Sequence, residues 1–254
     1  MKMNLKSKKS RVAVFAVLLV IAVACAGVLA SHAGAAKDKP VLFETDEKYV
    51  CGIDVSSHNG EIDWQAVSEN VDFAVIRAGY RGYGNGKLVA DTALEDNLEN
   101  SLKAGMKIGV YFYSQAITEN EAREEADFVL KLIKGYNIEL PVFIDFEYAH
   151  GENGELTGRL FESGITKTQA SEIINAFCSR INEAGKYAGV YSSSSMLNFD
   201  IASSKLNDNA YIWVADYNKA VTYLGSYDIW QYNKHGSCPG VNSKYVDVNY
   251  WFVK

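Results

Sequence analysis

The chain has 254 residues, of which 48% are hydrophobic and 12% aromatic, so it can bury a large core and is not a disordered chain. Its four cysteines are too few for a disulfide-dense miniature scaffold. Residues 1–36 carry five of the 25 basic residues and none of the 31 acidic residues, which leaves a net charge of −11 on the remainder. An acidic body of this kind argues against binding to nucleic acid, which needs a basic face.

Residues 1–36 predict a targeting segment rather than part of the fold. A basic stretch precedes an apolar run over residues 12–30, and an A-x-A-like cleavage site follows at 33–35. The run is also long enough to stay uncut as an N-terminal membrane anchor, and lipid attachment at Cys25 is a third alternative. Each alternative places the body outside the cytoplasm, either secreted or on the outer face of the membrane or cell wall, with membrane contact only through this segment.

Residues 37–48 are polar and predict a short linker, and residues 49–254 alternate between strand-like and helical patterns. The predicted strands cover 49–55, 73–78, 107–113, 141–146, 188–192, 210–214, 227–231 and 244–248. The predicted helices cover 62–69, 94–104, 119–134 and 167–184, and the last two begin with capping-box spacing. This order favours an α/β fold, a single irregular (β/α) TIM-like barrel whose last third has lost regular helices. A doubly wound open sheet is the main alternative, although the sequence has no nucleotide-binding glycine motif.

The fourth predicted strand ends in the most informative segment, because it carries Asp145 and Glu147 two positions apart. Side chains at such spacing on a strand point to the same side. Two close carboxylates repel each other's charge, so one of them keeps its proton to higher pH, as general acid catalysis requires. The alternatives are a metal site or a salt-bridged pair.

Two further acids stand at the ends of predicted strands. Asp54 follows the apolar end of the first strand, where an Asx turn or helix cap is the alternative interpretation. Asp247 lies between two valines on the last strand and is expected to face the barrel mouth, although it could also be a surface acid on an edge strand.

Aromatic residues also follow several strands, and aromatic rings at a barrel mouth can stack on the apolar faces of sugars. Core packing is the alternative for each of them. The candidate substrate-binding residues are Tyr80, Tyr113, Tyr191, Trp213, Tyr217 and Gln231, with Asp216 as a fifth acid that could contact substrate. The loop over residues 148–165 could form a wall of the cleft.

Other chemistries have weak support in the sequence. Ser192–Ser195 is not a nucleophile elbow, Cys178 falls inside a helical pattern, and His58, His150 and His235 follow no metal-ligand spacing. A disulfide between Cys51 and Cys238 stays open at this point.

Taken together, the motifs resemble glycoside hydrolase family 25, the Chalaropsis-type lysozymes or N-acetylmuramidases. The resemblance extends in order from about residue 50 to 252 through GIDVSSHNG at 52–60, DFAVIRAGY at 72–80, IGVYFYS at 108–114, PVFIDFE at 141–147, GVY at 189–191, IWVA at 212–215, IWQY at 229–232 and VDVN at 246–249. It implies a barrel with roughly five parallel strands and a more antiparallel end. It also implies hydrolysis of the β-1,4 bond between N-acetylmuramic acid and N-acetylglucosamine in peptidoglycan.

The same resemblance implies roles for the four acids. Glu147 would be the general acid, Asp145 would orient and polarise the 2-acetamido group of the substrate, and Asp54 and Asp247 would be supporting acids. No metal and no organic cofactor are expected, the partner would be the glycan strands of peptidoglycan, and we expect a monomer.

Three rival interpretations are weaker. A chitinase-like family 18 enzyme would need an acid where this chain has Phe143. A catalytically inactive glycan-binding protein would not need all four acids. The third is a structural or adhesive protein that is anchored in the membrane.

Overall fold

The computed structural model describes residues 39–253, so the predicted signal or anchor segment lies outside the described residues. The described strands are β1 (Tyr49–Val55), β2 (Phe73–Arg81), β3 (Leu88–Ala90), β4 (Lys107–Ser114), β5 (Val142–Phe146), β6 (Ala149–His150), β7 (Leu156–Thr157), β8 (Ala188–Ser193), β9 (Tyr211–Ala215), β10 (Ile229–Gly236) and β11 (Val246–Phe252). The described α-helices are α1 (Trp64–Ser68), α2 (Leu94–Lys103), α3 (Glu119–Leu132), α4 (Gly158–Glu162), α5 (Lys167–Glu183) and α6 (Ser194–Phe199). Two short 3₁₀ helices cover Ser57–Asn59 and Ser203–Lys205.

Eight of these strands form a closed barrel in the order β1, β2, β4, β5, β8, β9, β10, β11. Strand β1 pairs with both β2 and β11, so the sheet has no open ends within the barrel and the open-sheet alternative is wrong. The predicted single-domain α/β barrel is thereby confirmed.

The strand directions differ from the expected five parallel strands. Every barrel pairing from β1 through β2 to β10 is parallel, and β11 alone runs antiparallel to both of its neighbours. Strands β9 and β10 therefore remain parallel although no α-helix separates them. A short connection is enough for the antiparallel β10–β11 pair, whereas parallel strands need a longer crossover.

Helices α2, α3 and α5 cover the outside of the first part of the barrel with apolar faces. Leu94 and Leu98 of α2 are buried, as are Ala126 and Val129 of α3. The predicted capping box at the start of α5 is complete. At the start of α3 only half of it forms, because the Glu121 carboxylate accepts from the amide of Ile117 rather than from Thr118.

The barrel interior has an apolar floor and a polar mouth. Inward-facing rings at the end of the barrel opposite the mouth pack edge to face, among them Phe143 with Trp213 at 5.2 Å and Phe73 with Trp251 at 5.5 Å. A side chain at Gly52 would collide with the Phe73 ring, so glycine is needed for this floor. Beyond the rings, inward positions on the same strands become acids, amides and tyrosines.

The described part of the predicted linker packs onto the end of the barrel opposite the mouth. The Phe43 ring contacts Phe73 and Trp251, with centroids 5.8 and 5.4 Å apart. Lys39 forms a 2.6 Å ion pair with Asp228, and Lys107 donates to the carbonyl of Leu42 at 2.6 Å. The chain therefore enters the barrel from its floor side.

Within residues 39–253, no helix is both long and apolar enough to cross a bilayer. Cys51 and Cys238, whose pairing the sequence leaves open, do not form a disulfide in this structure, and the Cys238 thiol donates to the carbonyl of Pro239 at 3.5 Å. Cys178 is buried inside α5, as the helical pattern predicted.

Candidate active site

The four acids singled out in the sequence meet at the barrel mouth. Asp54 ends the inward face of β1, and Asp145 and Glu147 stand at the carboxyl end of β5. Asp247 lies at the amino end of β11, which reaches the same mouth because β11 runs antiparallel to the other strands. The reversed direction of one strand thus brings the fourth acid to the site.

Asp54 is a buried acceptor of several hydrogen bonds. Its Oδ2 atom accepts from Gln231 Nε2 at 2.9 Å and from Asn249 Nδ2 at 2.8 Å. Burial raises the pKa of Asp54 to about 6, and the hydrogen bonds from Asn249, Gln231 and Asp247 limit the rise. These donors favour the ionised form, so Asp54 is the acid prepared to carry negative charge.

Asp247 is paired with Asp54 across β1 and β11, and their side chains share a hydrogen bond. Burial and then the charges of Asp54 and Glu147 raise the pKa of Asp247 to about 8, with Lys234 acting in the opposite direction. A hydrogen bond between two carboxyl groups needs a proton, and these pKa values place it on Asp247.

Asp145 is the least exposed of the four acids, at 5%. Its Oδ1 atom is buried and has no hydrogen-bond partner among the described residues. Burial, followed by the charges of Glu147 and Asp54, holds the pKa of Asp145 well above its usual range, and Arg77 opposes the shift. The site therefore contains a buried carboxyl group whose charged form is disfavoured and whose Oδ1 atom is unpaired among the described residues.

Glu147 is less buried than Asp145 and sits just beyond the strand end. Its backbone carbonyl accepts from Gln115 Nε2 at 3.0 Å, and Gln115 in turn accepts from the amide of Leu160, which fixes the segment. Burial and the charge of Asp54 raise the pKa of Glu147 to about 7. Glu147 can therefore hold a proton near neutral pH and release it to a group in the cleft.

Tyrosines and Gln231 surround the acids. Gln231 is 1% exposed, and its Oε1 atom accepts from the hydroxyls of Tyr191 at 3.0 Å and Tyr217 at 2.6 Å. Tyr113 pairs in register with both Tyr80 and Asp145, so these residues share the side of the sheet that faces the mouth. Tyr217 is 48% exposed and forms the rim.

Trp213 does not reach the mouth, contrary to its predicted role as a substrate contact. It is 1% exposed, packs against Phe143 and Tyr191, and donates from Nε1 to Asn249 Oδ1 at 2.8 Å. It lies one layer below the acids and supports Asn249, which binds Asp54.

Asp216 is likewise a structural residue rather than an open fifth acid. Its carboxylate accepts from Ser194, from Asn218 and from both the amide and hydroxyl of Thr222, at 2.6–3.1 Å. Burial alone would raise its pKa, but these hydrogen bonds lower it to about 2. Both carboxylate oxygens of Asp216 are hydrogen-bonded, and these bonds connect the loop after β9 to α6.

Three residues of the site were missed as candidates. Asn249 was visible in the last motif but was not given a role, although it connects Trp213 to Asp54. The positive charge of Arg77 opposes the rise in the pKa of Asp145, and Arg77 forms a 2.6 Å ion pair with Asp91. An arginine inside an apolar strand was the available signal. The positive charge of Lys234 opposes the rise in the pKa of Glu147 and of Asp247. No local pattern in the sequence indicated that Lys234 belongs to the site.

The walls of the mouth are ordered extensions of the barrel. The β2–β3 hairpin continues past the strand ends, and the loop over residues 148–165 folds into the β6–β7 hairpin and α4. The carbonyl of Tyr83 accepts from the amide of Arg159 at 2.9 Å and so joins the two extensions.

In the part of the chain that the structure describes, no group of three or more His, Cys, Asp and Glu side chains has an arrangement suited to a metal ion. The side-chain amides of Gln231 and Asn249 hold Asp54, and Asp247 is held by its hydrogen bond with Asp54. The arrangement supplies a proton donor in Glu147, a buried carboxyl group with an unpaired oxygen in Asp145 and a hydrogen-bonded carboxylate in Asp54.

Comparison with known families gives a match over most of the barrel. The model of the family described as Glycosyl hydrolases family 25 matches residues 53–241. Among curated proteins, the chain is 26% identical over 193 residues to the autolytic lysozyme of Clostridium acetobutylicum, covering 75% of this chain and 52% of that protein. It is 27% identical over 226 residues to lysozyme M1 of Streptomyces globisporus, covering 85% of this chain and 72% of that protein.

Solved structures agree with this match. The modular autolysin LytC of Streptococcus pneumoniae, in complex with a synthetic peptidoglycan ligand, superposes with a TM-score of 0.69 and 27% identity, covering 83% of this chain and 48% of LytC. The bacterial lysozyme of Streptomyces coelicolor gives a TM-score of 0.64 and 25% identity, covering 81% of this chain and 93% of that structure. This chain therefore spans about half the length of the clostridial lysozyme and of LytC.

Proposed function

The chain belongs to glycosyl hydrolase family 25, and on that premise we propose that it hydrolyses the β-1,4 bond between N-acetylmuramic acid and N-acetylglucosamine in peptidoglycan. The names of its relatives support this substrate, since they are lysozymes and an autolysin whose structure holds a synthetic peptidoglycan ligand. One observation carries the proposal. Glu147, with a pKa raised to about 7, follows the buried Asp145 at the end of a single strand.

The first step uses Glu147 as the general acid. Its carboxyl proton moves to the glycosidic oxygen while the bond from that oxygen to the anomeric carbon breaks. The carbonyl oxygen of the substrate's own 2-acetamido group forms a bond to the anomeric carbon and stabilises the positive charge. Glu147 is left as a carboxylate, and the leaving sugar carries the new hydroxyl.

The second step returns the enzyme to its starting state. The Glu147 carboxylate takes a proton from water as the water oxygen attacks the anomeric carbon. The bond to the acetamido oxygen breaks, and the acetamide is restored. Glu147 ends protonated, so protons and electron pairs balance over the two steps.

Asp145 is proposed to orient the acetamido group. Its unpaired Oδ1 atom is buried, and a buried acceptor without a donor is costly until a donor arrives. The acetamido N–H is such a donor, and accepting its hydrogen bond would make the acetamido oxygen more nucleophilic.

Asp54 is proposed to stabilise positive charge near the anomeric carbon, because its hydrogen bonds favour the ionised form. Asp247 is proposed to support Asp54 through the shared hydrogen bond.

Export is part of the proposal. The residue pattern of 1–36 favours a signal peptide or anchor, and a peptidoglycan substrate lies outside the cytoplasm. The wall-acting names of the relatives support the same location.

A catalytically inactive glycan-binding protein with the same barrel is the alternative function. The retention of all four acids in one cleft favours the enzyme. The purified protein should release soluble fragments from insoluble, purified peptidoglycan. Sedimentation with the wall material without release of soluble fragments would support the binding protein instead.

A further inference from the structure

Strand β10 is irregular where it passes the active site. Its pairing with β11 shifts between Gln231 and Asn233 and again between Asn233 and Gly236. Each shift inserts an extra residue on β10, and such bulges change the direction in which neighbouring side chains point. Lys234 lies inside the second bulge, opposite the segment of β11 that carries Asp247.

The side chain of Lys234 is held at the rim by an aromatic ring. Its Nζ atom lies 5.2 Å from the ring centroid of Tyr217. The Tyr217 hydroxyl donates to Gln231, which also binds Asp54, so the ring under Lys234 is connected to the catalytic cluster. Lys234 is exposed and takes part in none of the ion pairs found in residues 39–253.

The charge of the mouth makes such a cation significant. The cleft carries the negative charge of Asp54, and Glu147 and Asp247 add charge as they ionise at higher pH, so an anionic substituent on a substrate would be repelled. Arg77 also acts on this cluster through its charge, but it is already paired with Asp91. The influence of Lys234 on Glu147 and Asp247 also supports its position over the cleft.

We propose that Lys234 is a specificity residue that binds a carboxylate of the muramic acid unit at the rim of the cleft. This inference rests on the proposed function, because N-acetylglucosamine carries no such group. The carboxylate has two sources. In glycan strands without peptides it is the lactyl group of muramic acid, and in strands with peptides it belongs to the stem peptide.

Binding measurements separate this role from catalysis. The measurements use the Glu147→Gln protein, which is expected to bind glycan strands without turnover. Calorimetry would compare this protein with the double variant that also carries Lys234→Met. The three ligands are peptide-free strands, the same strands with their carboxylates amidated, and peptide-bearing strands. We expect Lys234→Met to weaken binding of a carboxylate strand about tenfold and to change binding of amidated strands less than twofold. Lys234→Arg should restore most of the affinity.

The strand that shows the loss identifies the source of the carboxylate. A loss on peptide-free strands assigns the lactyl group, and a loss confined to peptide-bearing strands assigns the stem peptide. Equal losses on charged and amidated strands, or no loss at all, would overturn the proposal. Lys103→Met removes one charge from an exposed position on α2 and should have no effect.

The kinetic readout makes failure of the two proposals distinguishable. In the active protein, Lys234→Met should raise KM about tenfold on the affected strand while kcat at the optimal pH changes less than threefold. If the unsubstituted protein releases no fragments but the Lys234-dependent binding difference remains, the hydrolase proposal fails and the carboxylate site stands.

Discussion

Asp54 and Asp247 face each other across the antiparallel pair β1 and β11 and share one proton. Asp54 accepts two further hydrogen bonds, from Gln231 and Asn249, which favour its ionised form. The pKa of Asp247 is instead raised by burial and by the negative charge of its neighbours. The pair therefore separates into an ionised and a protonated member. The ionised member in turn helps Glu147 to keep its proton.

The value of kcat/KM should fall at both high and low pH, because Glu147 and Asp54 must be in opposite ionisation states. Glu147 must be protonated, so kcat/KM should fall as pH rises through about 7. Asp54 must be ionised, so kcat/KM should also fall as pH drops through about 6. Initial rates on soluble glycan strands between pH 4 and 9 would test this. A rate that increases steadily from pH 6 to 9 would contradict it.

Asp54→Asn should move the basic limit of that profile to lower pH. The substitution removes the charge that raises the pKa of Glu147, so Glu147 should lose its proton at lower pH. The same pH series, measured on the variant, checks the direction. An unchanged basic limit would mean that Asp54 does not act on the general acid.

Asp247→Asn should stabilise the protein at alkaline pH. In the folded chain the pKa of Asp247 is about 8, above the value of about 4 expected for an unfolded chain. The folded state thus holds a proton that the unfolded state lacks, and the free energy of unfolding falls as pH rises from 4 to 8.

Asparagine cannot ionise and can still donate to Asp54. The variant should therefore gain about 2–4 °C in Tm at pH 8 and little at pH 4. Thermal unfolding of both proteins at the two pH values measures the difference. A loss of Tm at pH 8 would show that the Asp247 carboxylate is stabilising.

Asp216→Ala should destabilise the fold by about 2–4 kcal/mol, because it removes a buried acceptor and leaves its donors unpaired. Urea unfolding measures the change, and Asp208→Ala, at an exposed position, is the control. Well below its Tm, the variant should retain kcat within about threefold. A stable variant with little turnover would instead make Asp216 a substrate contact.

Acetamido assistance predicts retention of configuration at the anomeric carbon. Two successive displacements at that carbon restore the β configuration. Proton NMR of the first products should show the β anomer before mutarotation mixes the two forms. Initial formation of the α anomer would exclude the two-step route.

The sequence predicted the barrel well because its strands are continuous apolar runs separated by amphipathic helices. The acids were found because each stands at the apolar end of a strand, where alternation decides which way it points. Alternation along a strand does not predict how far an inward-facing side chain lies from the barrel mouth. Trp213 is in register with Tyr191 and shares its inward face, but the Trp213 ring packs against Phe143 of the barrel floor and is 1% exposed.

The remaining features depend on contacts between distant residues. The carboxylate of Asp216 accepts hydrogen bonds from the hydroxyls of Ser194 and Thr222. No local pattern in the sequence predicts these contacts. The two bulges of β10 arise from its register with β11, so β10 extends to Gly236 instead of ending at residue 231, and Lys234 becomes part of the mouth.

Identification of the reducing ends made from purified peptidoglycan tests the central claim most directly. Products would be reduced with borohydride and analysed by mass spectrometry, for the unsubstituted protein, Glu147→Gln and the control Glu139→Gln, an exposed glutamate before the other end of β5. We predict reduced muramic acid at the new ends, a loss of on the order of a hundredfold or more in Glu147→Gln, and no loss in the control. Reduced glucosamine at the new ends, or more than about a tenth of the rate in Glu147→Gln, would contradict a muramidase that uses Glu147 as its acid.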